Sequence, residues 1–469
     1  MQDFGKLLHT YLKEKDNYSI SAFAKDIGIS AGLLNHIFNN KRTMTPEKFL
    51  LTINSAMFDL NEKKFLRDAY FTDRYGENDY NKIRLLCDKI ESFHFGDTPE
   101  IEPCTNIVEK GYGEIFSYKE VYSSIKELFE TTDSVIYTNV HHANNAINHV
   151  LYSLKKDFAS SRLVRFIPTF TSKVNERGLT ELFSIIRFAK IGVNTLSLEK
   201  TEIEHLEQTT LFPYFIISDK MMILLDAQCK KGVAFCDLNI IKDKYRIAEN
   251  ASKNAASVVI YFKNEIEAVN YIINYEGKKI SSFKSTPCFL ALDDLSYLSE
   301  AAANLPDKEE LLAFLQSRRS DKQWYNICAQ SGLERFLETG KTYELSENFI
   351  KKFPLESRKI FLKGLIATME NDKVFHNSFL ERSIRVSEFF ENIDFTVYDN
   401  SCLIATIYDN PGPDTFLCEI SIHITGGELL KTLKTFLTDY LPLSGDVLSK
   451  QTALLYLKGL QIDFQRHYE

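Results

Sequence analysis

The sequence predicts a multidomain chain. An all-α helix-turn-helix domain at the N-terminus is followed by a large α/β (α+β) domain with signs of two diverged halves. Three observations predict this. Apolar residues recur at helical spacing through the first seventy or so residues. From Tyr118 onward, short apolar runs of strand type alternate with helical patterns. The run 214–256 shares its order and length with the run 395–440, each a hairpin, a strand and a helix.

At about 150 residues per domain, 469 residues suggest about three units. A hydrophobic fraction of 44%, with 35 Phe and 23 Tyr, supplies several cores and argues against a disordered chain. The eight cysteines are dispersed and none forms a CxxC pair, which points to a reducing compartment and implies no disulfide framework or zinc module. The N-terminus shows no apolar leader, and no apolar run approaches the ~20 residues that span a bilayer. The expectation is a cytoplasmic protein without a membrane partner. The net charge of −8 is unevenly divided: residues 1–75 hold eleven Lys/Arg against nine Asp/Glu. A slightly basic head on an acidic body fits a small DNA-reading module joined to a domain that does not itself bind DNA.

Phe4, Leu7, Leu8, Tyr11 and Leu12 mark a first helix within Asp3–Lys15. Ser21–Ile27 is a short second helix, with Ser19 or Ser21 as its N-cap. Gly28 suits the left-handed position that ends it, and Ser30 can cap a third helix over Ala31–Asn39, with Leu33, Leu34, Ile37 and Phe38 facing inward. Thr45-Pro46-Glu47 starts a fourth, with Pro46 at its favoured first position. Asn61 caps a fifth, Glu62–Phe71. Asn81–Phe93 reads as helix and His94–Gly113 as linker. In the body, strands are expected at 134–140, 163–170, 193–198, 214–218, 221–226 and 232–237, with helices between and after them. The chain thus divides into a helix-turn-helix domain (1–75), a helical linker (76–114), an α/β sensor half (115–275), a mostly helical segment (276–390) and an α+β C-terminal half (391–469).

A helix that reads DNA lies in the major groove and presents short polar or basic side chains near its N-terminus. Here these are Ser30, Ala31, Gly32, Asn35 and His36. Asn can bond adenine bidentately, and small residues permit close approach. Asn39, Asn40, Lys41 and Arg42 fall where the next loop meets phosphates, which supply affinity and register. The stretch SAFAKDIGISAGLLNHIFNNKRTMTPEKFLLTI resembles the Cro/C1-type (XRE) helix-turn-helix family over residues 4–71. The resemblance rests on Phe23-Ala24, Gly28-Ile29-Ser30, Leu34, Ile37 and Asn40-Lys41-Arg42. It implies a double-stranded DNA partner and a homodimer on two half-sites. One departure is Gly32-Leu33-Leu34, where many members carry polar residues. The other reading of these helices is a bundle that binds protein.

The body carries no P-loop, no G-x-S-x-G and no H-E-x-x-H, so no catalytic residue, cofactor or metal site is expected. Its element order over 118–256 resembles the phospholipase-D-like fold, which some sugar-responsive archaeal regulators use as a sensor. The catalytic form of that fold needs His-x-Lys, and none of the ten histidines stands two before a lysine. The resemblance therefore implies a degenerate domain. Polar residues cluster where the first strand gives way to a helix: Asn139, His141, His142 and Asn145, with Thr171 and Lys173 after the second strand. Ligands of open α/β sheets bind at such strand ends. Two readings stand side by side: contacts to a small-molecule or peptide effector, or helix capping and solvated surface. His142 and His149, seven apart, lack the spacing and third ligand of a metal site. For the whole chain the main reading is a ligand-responsive transcription regulator. The alternatives are an enzyme with a DNA-binding head and a repressor whose body only assembles protomers.

Overall fold

The computed structural model describes residues 3–15, 19–93, 113–115, 118–140, 145–168, 173–199, 211–261, 279–285, 323–341, 352–371, 375–380, 389, 392–407 and 419–468. An N-terminal helical region leads into a larger α/β part built on two sheets.

The N-terminal helices are α1 (Phe4–Glu14), α2 (Ile20–Asp26), α3 (Ala31–Phe38), α4 (Pro46–Ile53) and α5 (Leu60–Tyr75). Side chains close the open N–H groups at the starts of α1, α2, α3 and α5, whereas α4 opens on Pro46 without a side-chain cap. Asp3 accepts from the Lys6 amide, Ser19 from Ala22, and Ser30 from Leu33. The cap of α2 is thus Ser19. Helix α5 starts earlier than Asn61: Asp59 caps it and forms a reciprocal capping box with Glu62. The core gathers Phe4, Leu8, Phe23, Leu34, Ile37, Phe49 and Phe71, with Phe49 stacked on Tyr70 at 3.7 Å.

Gly76 (φ 78°) turns α5 into α6 (Glu77–Glu91). The segment 76–114, expected as a helical linker, contributes this helix to the body's core. Ile83, Leu86, Ile90 and Phe93 are buried there among residues of both halves. Its apolar i, i+3, i+7 stripe is too valuable in burial to leave in solvent. Residues 94–112 lie outside the described ones.

The first half holds β1 (Gly113–Ile115), α7 (Tyr118–Thr131), β2 (Val135–Thr138), α8 (Asn145–Asp157), β3 (Arg162–Pro168), α9 (Glu176–Lys190), β4 (Asn194–Leu198), β5 (Tyr214–Ile217), β6 (Met222–Leu225), β7 (Gly232–Phe235), α10 (Leu238–Asn254) and β8 (Ala256–Ser257). Strand order is β1-β7-β6-β5-β2-β3-β4-β8. β2, β3 and β4 run parallel, while β5, β6 and β7 form an antiparallel meander. Alternate residues face opposite ways. Ile136, Leu163 and Ile216 pack with α7 and α8, whereas Tyr137, Phe166 and Phe215 pack beneath α10.

The second half contains β9 (Val259–Tyr261), β10 (Lys279–Lys284), β11 (Gln323–Ala329), α11 (Gln330–Thr339), α12 (Leu355–Asn371), β12 (Phe375–Leu380), β13 (Ile393–Val397), β14 (Ser401–Ile407), β15 (Glu419–Thr425) and α13 (Gly427–Thr435). A π-helical stretch Phe436–Tyr440, a helical turn Leu441–Leu443 and α14 (Lys450–Tyr468) complete it. Strand order is β12-β11-β10-β13-β14-β15-β9. Three strands therefore run through 276–390, where the sequence reads as mostly helical. Their segments KISSFK, QWYNICA and FHNSFL mix polar residues into central positions. The polar residues bond one another: Ser282 Oγ donates to Asn326 Oδ1 (2.9 Å), and Asn326 Nδ2 to Asn377 Oδ1 (3.1 Å).

The two sheets repeat strand for strand. Three parallel strands adjoin a three-strand meander, and a short antiparallel strand closes the meander's far edge, β1 on β7 and β9 on β15. The other edge is closed by β8 on β4 and by Val447 bridging Leu380 of β12. Register repeats too: the row Ile216–Thr138–Arg165–Thr195 corresponds to Thr396–Ser282–Asn326–Asn377. Both meanders open on a two-residue hairpin, closed by Ser218 N donating to Met221 O and Tyr398 N to Ser401 O, each 2.8 Å.

Candidate nucleic-acid interface

The helix-turn-helix geometry is set by three backbone decisions. Gly28 (φ 67°) ends α2 in the left-handed conformation, with Ile29 N donating to Ala24 O at 2.8 Å. Ser30 then caps α3. At the far end Asn40 (φ 55°) takes the same left-handed position, and Lys41 N donates to His36 O at 2.8 Å. Asn40 thus fixes where α3 stops and the basic loop begins, a backbone role that residue type alone did not reveal.

A fourth constraint, missed in the sequence, is Gly5. A Cβ built there would stand 2.0 Å from the Ile37 carbonyl oxygen. Helix α1 therefore crosses α3 backbone against backbone, holding the rear of α3 while Leu34, Ile37 and Phe38 seat it in the core. The signal was one glycine inside an otherwise regular helical pattern.

What remains outward is the predicted set. Ser30, Gly32, Asn35, His36, Asn39, Asn40, Lys41 and Arg42 are exposed and Ala31 half-buried. Gly32, Asn35, His36 and Asn39 follow i, i+3, i+4, i+7 spacing, so they share one face of α3. Asn39 Nδ2 donates to Asn35 O at 2.8 Å. A Cβ on Gly32 would meet only Ser30 Oγ, at 3.9 Å, so packing does not demand a glycine. A glycine inside a helix costs about 1 kcal/mol against alanine. An exposed, unforced glycine on this face keeps the surface low for close approach.

The domain is docked firmly on the second half. Arg74 grips Asp439 bidentately, Nε–Oδ2 at 3.1 Å and Nη2–Oδ1 at 2.9 Å. Phe71 packs on Tyr440 (4.6 Å between ring centres), and Leu443 enters the N-terminal core. Lys82 pairs with Glu428, and Lys431 with Asp79 (2.8 Å). Glu428 also accepts from the Val174 amide at 2.7 Å, tying the start of α9 into the same network. Hydrogen bonds from Lys431 and Lys82 hold the Asp79 carboxyl below its ordinary value; Lys82 and the Val174 amide do the same for Glu428.

The polar cluster at the strand ends is only partly brought together. Asn139 is buried with both ends of its amide engaged: Nδ2 donates to Pro213 O (2.8 Å), and Oδ1 accepts from Phe215 N (2.7 Å). It pins β2 to β5. Asn145 opens α8, and Lys173 is exposed beside Val174. His141, His142 and Thr171 lie outside the described residues. Beneath this end, Arg165 is fully buried. Its Nε donates to Val140 O (3.0 Å) and its Nη2 to Glu181 (2.9 Å). Burial pulls the Arg165 guanidinium below its ordinary value, and the Glu181 carboxylate opposes that pull.

No protein-family model and no curated protein matches the chain. Among solved structures, one described as TrmBL2, an archaeal chromatin protein with a novel mode of DNA binding, aligns at 14% identity. It covers 53% of this chain and 98% of that one, with a TM-score of 0.24. Phosphatidylserine synthase from Haemophilus influenzae Rd KW20 aligns at 10% identity over 82% of this chain and 98% of that one, TM-score 0.23. Polyphosphate kinase from Porphyromonas gingivalis aligns at 10% identity over 78% and 57%, TM-score 0.23. At these scores the alignments carry no argument about fold or activity. Among the described residues no helix is long and apolar enough to cross a membrane.

Proposed function

We propose that the chain is a sequence-specific DNA-binding transcription regulator of the Cro/C1 type, cytoplasmic and non-catalytic, acting as a homodimer. The observation that carries this reading is the exposed face of α3. Gly32, Asn35, His36 and Asn39 line one side of a helix whose rear is locked by Leu34, Ile37 and the Gly5 crossing. Asn35 and His36 read base edges, while Lys41 and Arg42 hold phosphates.

The body sets the pose of that helix. In this reading it is a sensor of phospholipase-D-like element order that has lost catalysis. An effector bound at the β2 and β3 ends would act on Val174, Glu428 and Lys82, which link the first half to α6. The π-helical stretch that carries Asp439 and Tyr440 is the adjustable part of the contact, since such bulges often sit at functional sites. The effector shifts the balance of two poses only by its difference in affinity for them.

The test is an electrophoretic shift of DNA from upstream of the chain's own coding sequence. Full-length protein is expected to bind, and Asn35→Ala combined with Arg42→Ala to abolish the shift while the fold persists. Unchanged binding by that double variant would sink the assignment of α3 as the reading helix.

A further inference from the structure

The two halves repeat, yet their outer helices are covered differently. Helix α13 lies on the second sheet beneath α6, and Leu429, Leu430, Thr432 and Leu433 of its nine residues are buried. Helix α10 holds the equivalent place on the first sheet: each follows the third meander strand and precedes the residue that pairs with the last parallel strand. Of seventeen residues α10 buries only Ile241 and Ala248. It leaves Ile240 40% and Ile247 42% exposed. Seven residues is close to two turns, so the two isoleucines share a face, with Asp243 and Lys244 between them.

This face is its own complement. Read along the helix it runs apolar, acidic, basic, apolar. Lay a second α10 antiparallel over it, with a two-fold axis passing between Asp243 and Lys244. Ile240 then meets Ile247 of the other copy, and Asp243 meets Lys244, each contact occurring twice. An isologous interface requires such a pattern. Exposed isoleucines beside matched charges distinguish it from a merely solvated helix.

We infer that the outer face of α10 is where a second copy of this chain docks, α10 against α10. This deepens the homodimer reading above and rests on it. Dimerisation through α10 uses no residue of α3 and gives each dimer two reading helices, as two half-sites require.

Sedimentation velocity on the full chain without DNA tests it. Wild type is expected to be a dimer. Asp243→Lys sets like charges face to face twice and should weaken the dimer about tenfold or more. The charge swap, Asp243→Lys with Lys244→Asp, should restore it. Ile240→Asp with Ile247→Asp should give a monomer of unchanged helix content, whose melting midpoint no longer depends on protein concentration. The Asp243–Arg246 pair lost in the first variant is exposed on both sides and contributes little to folding. A monomeric wild type, an unaffected Asp243→Lys dimer or a swap that fails to restore would overturn the inference. Phe65 of α5 is another large apolar side chain left exposed, at 55%, and a dimer broken by Phe65→Asp but not by the α10 variants would overturn it too. Binding of the same proteins to a DNA half-site separates the two claims. A wild-type dimer disrupted through α10 that binds no DNA sustains this surface and removes the regulator reading.

Discussion

Replacing Glu181 by alanine is expected to lower the stability of the body by about 3–5 kcal/mol, the usual cost of stripping one partner from a buried ion pair. Arg165 is 0% exposed and the Glu181 side chain 9%. The guanidinium also stacks over Phe188, its carbon 5.0 Å from the ring centre. Among the described residues its Nη1 and the neighbouring Thr195 Oγ1 have no hydrogen-bond partner. With Glu181 gone the charge would keep, among the described residues, one hydrogen bond, from Nε to Val140 O, and no counter-charge. Leaving that charge unpaired outweighs whatever the pair contributes. Arg165→Met with Glu181→Leu should therefore recover most of the loss, since apolar replacements of buried pairs are often near neutral. Urea unfolding of the single and double variants checks this. A Glu181→Ala midpoint equal to wild type would show that water reaches the pair.

Gly5→Ala is expected to loosen the N-terminal domain by about 2 kcal/mol, against the direction that helix propensity predicts. Alanine is favoured over glycine in a helix by about 1 kcal/mol. The new methyl would nonetheless sit 2.0 Å from a backbone oxygen of α3. The Ile37 carbonyl, in the last turn of α3 and accepting from the Asn40 amide at 3.0 Å, cannot swing aside as a side chain can. Overpacking of this kind costs typically about 1–3 kcal/mol and at backbone contacts more, so the clash wins. Amide hydrogen exchange in α1 and α3 should accelerate roughly thirty-fold, at 1.4 kcal/mol per tenfold. Exchange in the sheets of the body should stay unchanged. Slower exchange in α1 would mean that the helices part without cost and that propensity governs.

The N-terminal domain was largely legible because its determinants are local. Gly28, Ser30 and Pro46 each act within a few residues of their own position, and the expected reading face of α3 proved exposed. The hairpin expected between the strands at 214–218 and 221–226 was legible for the same reason. Helix α5 was misplaced at its start because Asn61 and Asp59 are both good caps, and only the reciprocal bond to Glu62 decides between them. Strands β10, β11 and β12 escaped because periodicity counts apolar residues. Ser282, Asn326 and Asn377 satisfy one another across strands more than forty residues apart. Nothing near Arg74 announces Asp439, 365 positions away, so the docking of the two parts had no sequence signal. Gly5 carries its constraint in a helix crossing, which a single helix's pattern cannot display. At the strand-end cluster, Asn139 was open between a ligand contact and a structural role, and its amide is engaged on both sides by backbone, a distinction that residue type cannot make.

The proposal that α3 reads DNA is tested most directly by affinity measured against salt for upstream and random DNA. Wild type should lose affinity steeply as salt rises while preferring its own upstream DNA. Arg42→Ala should weaken both DNAs alike and reduce the salt slope by about one. Asn35→Ala should keep the slope and lose about 1–3 kcal/mol of discrimination. A slope unchanged by Arg42→Ala, together with discrimination unchanged by Asn35→Ala, would contradict the account.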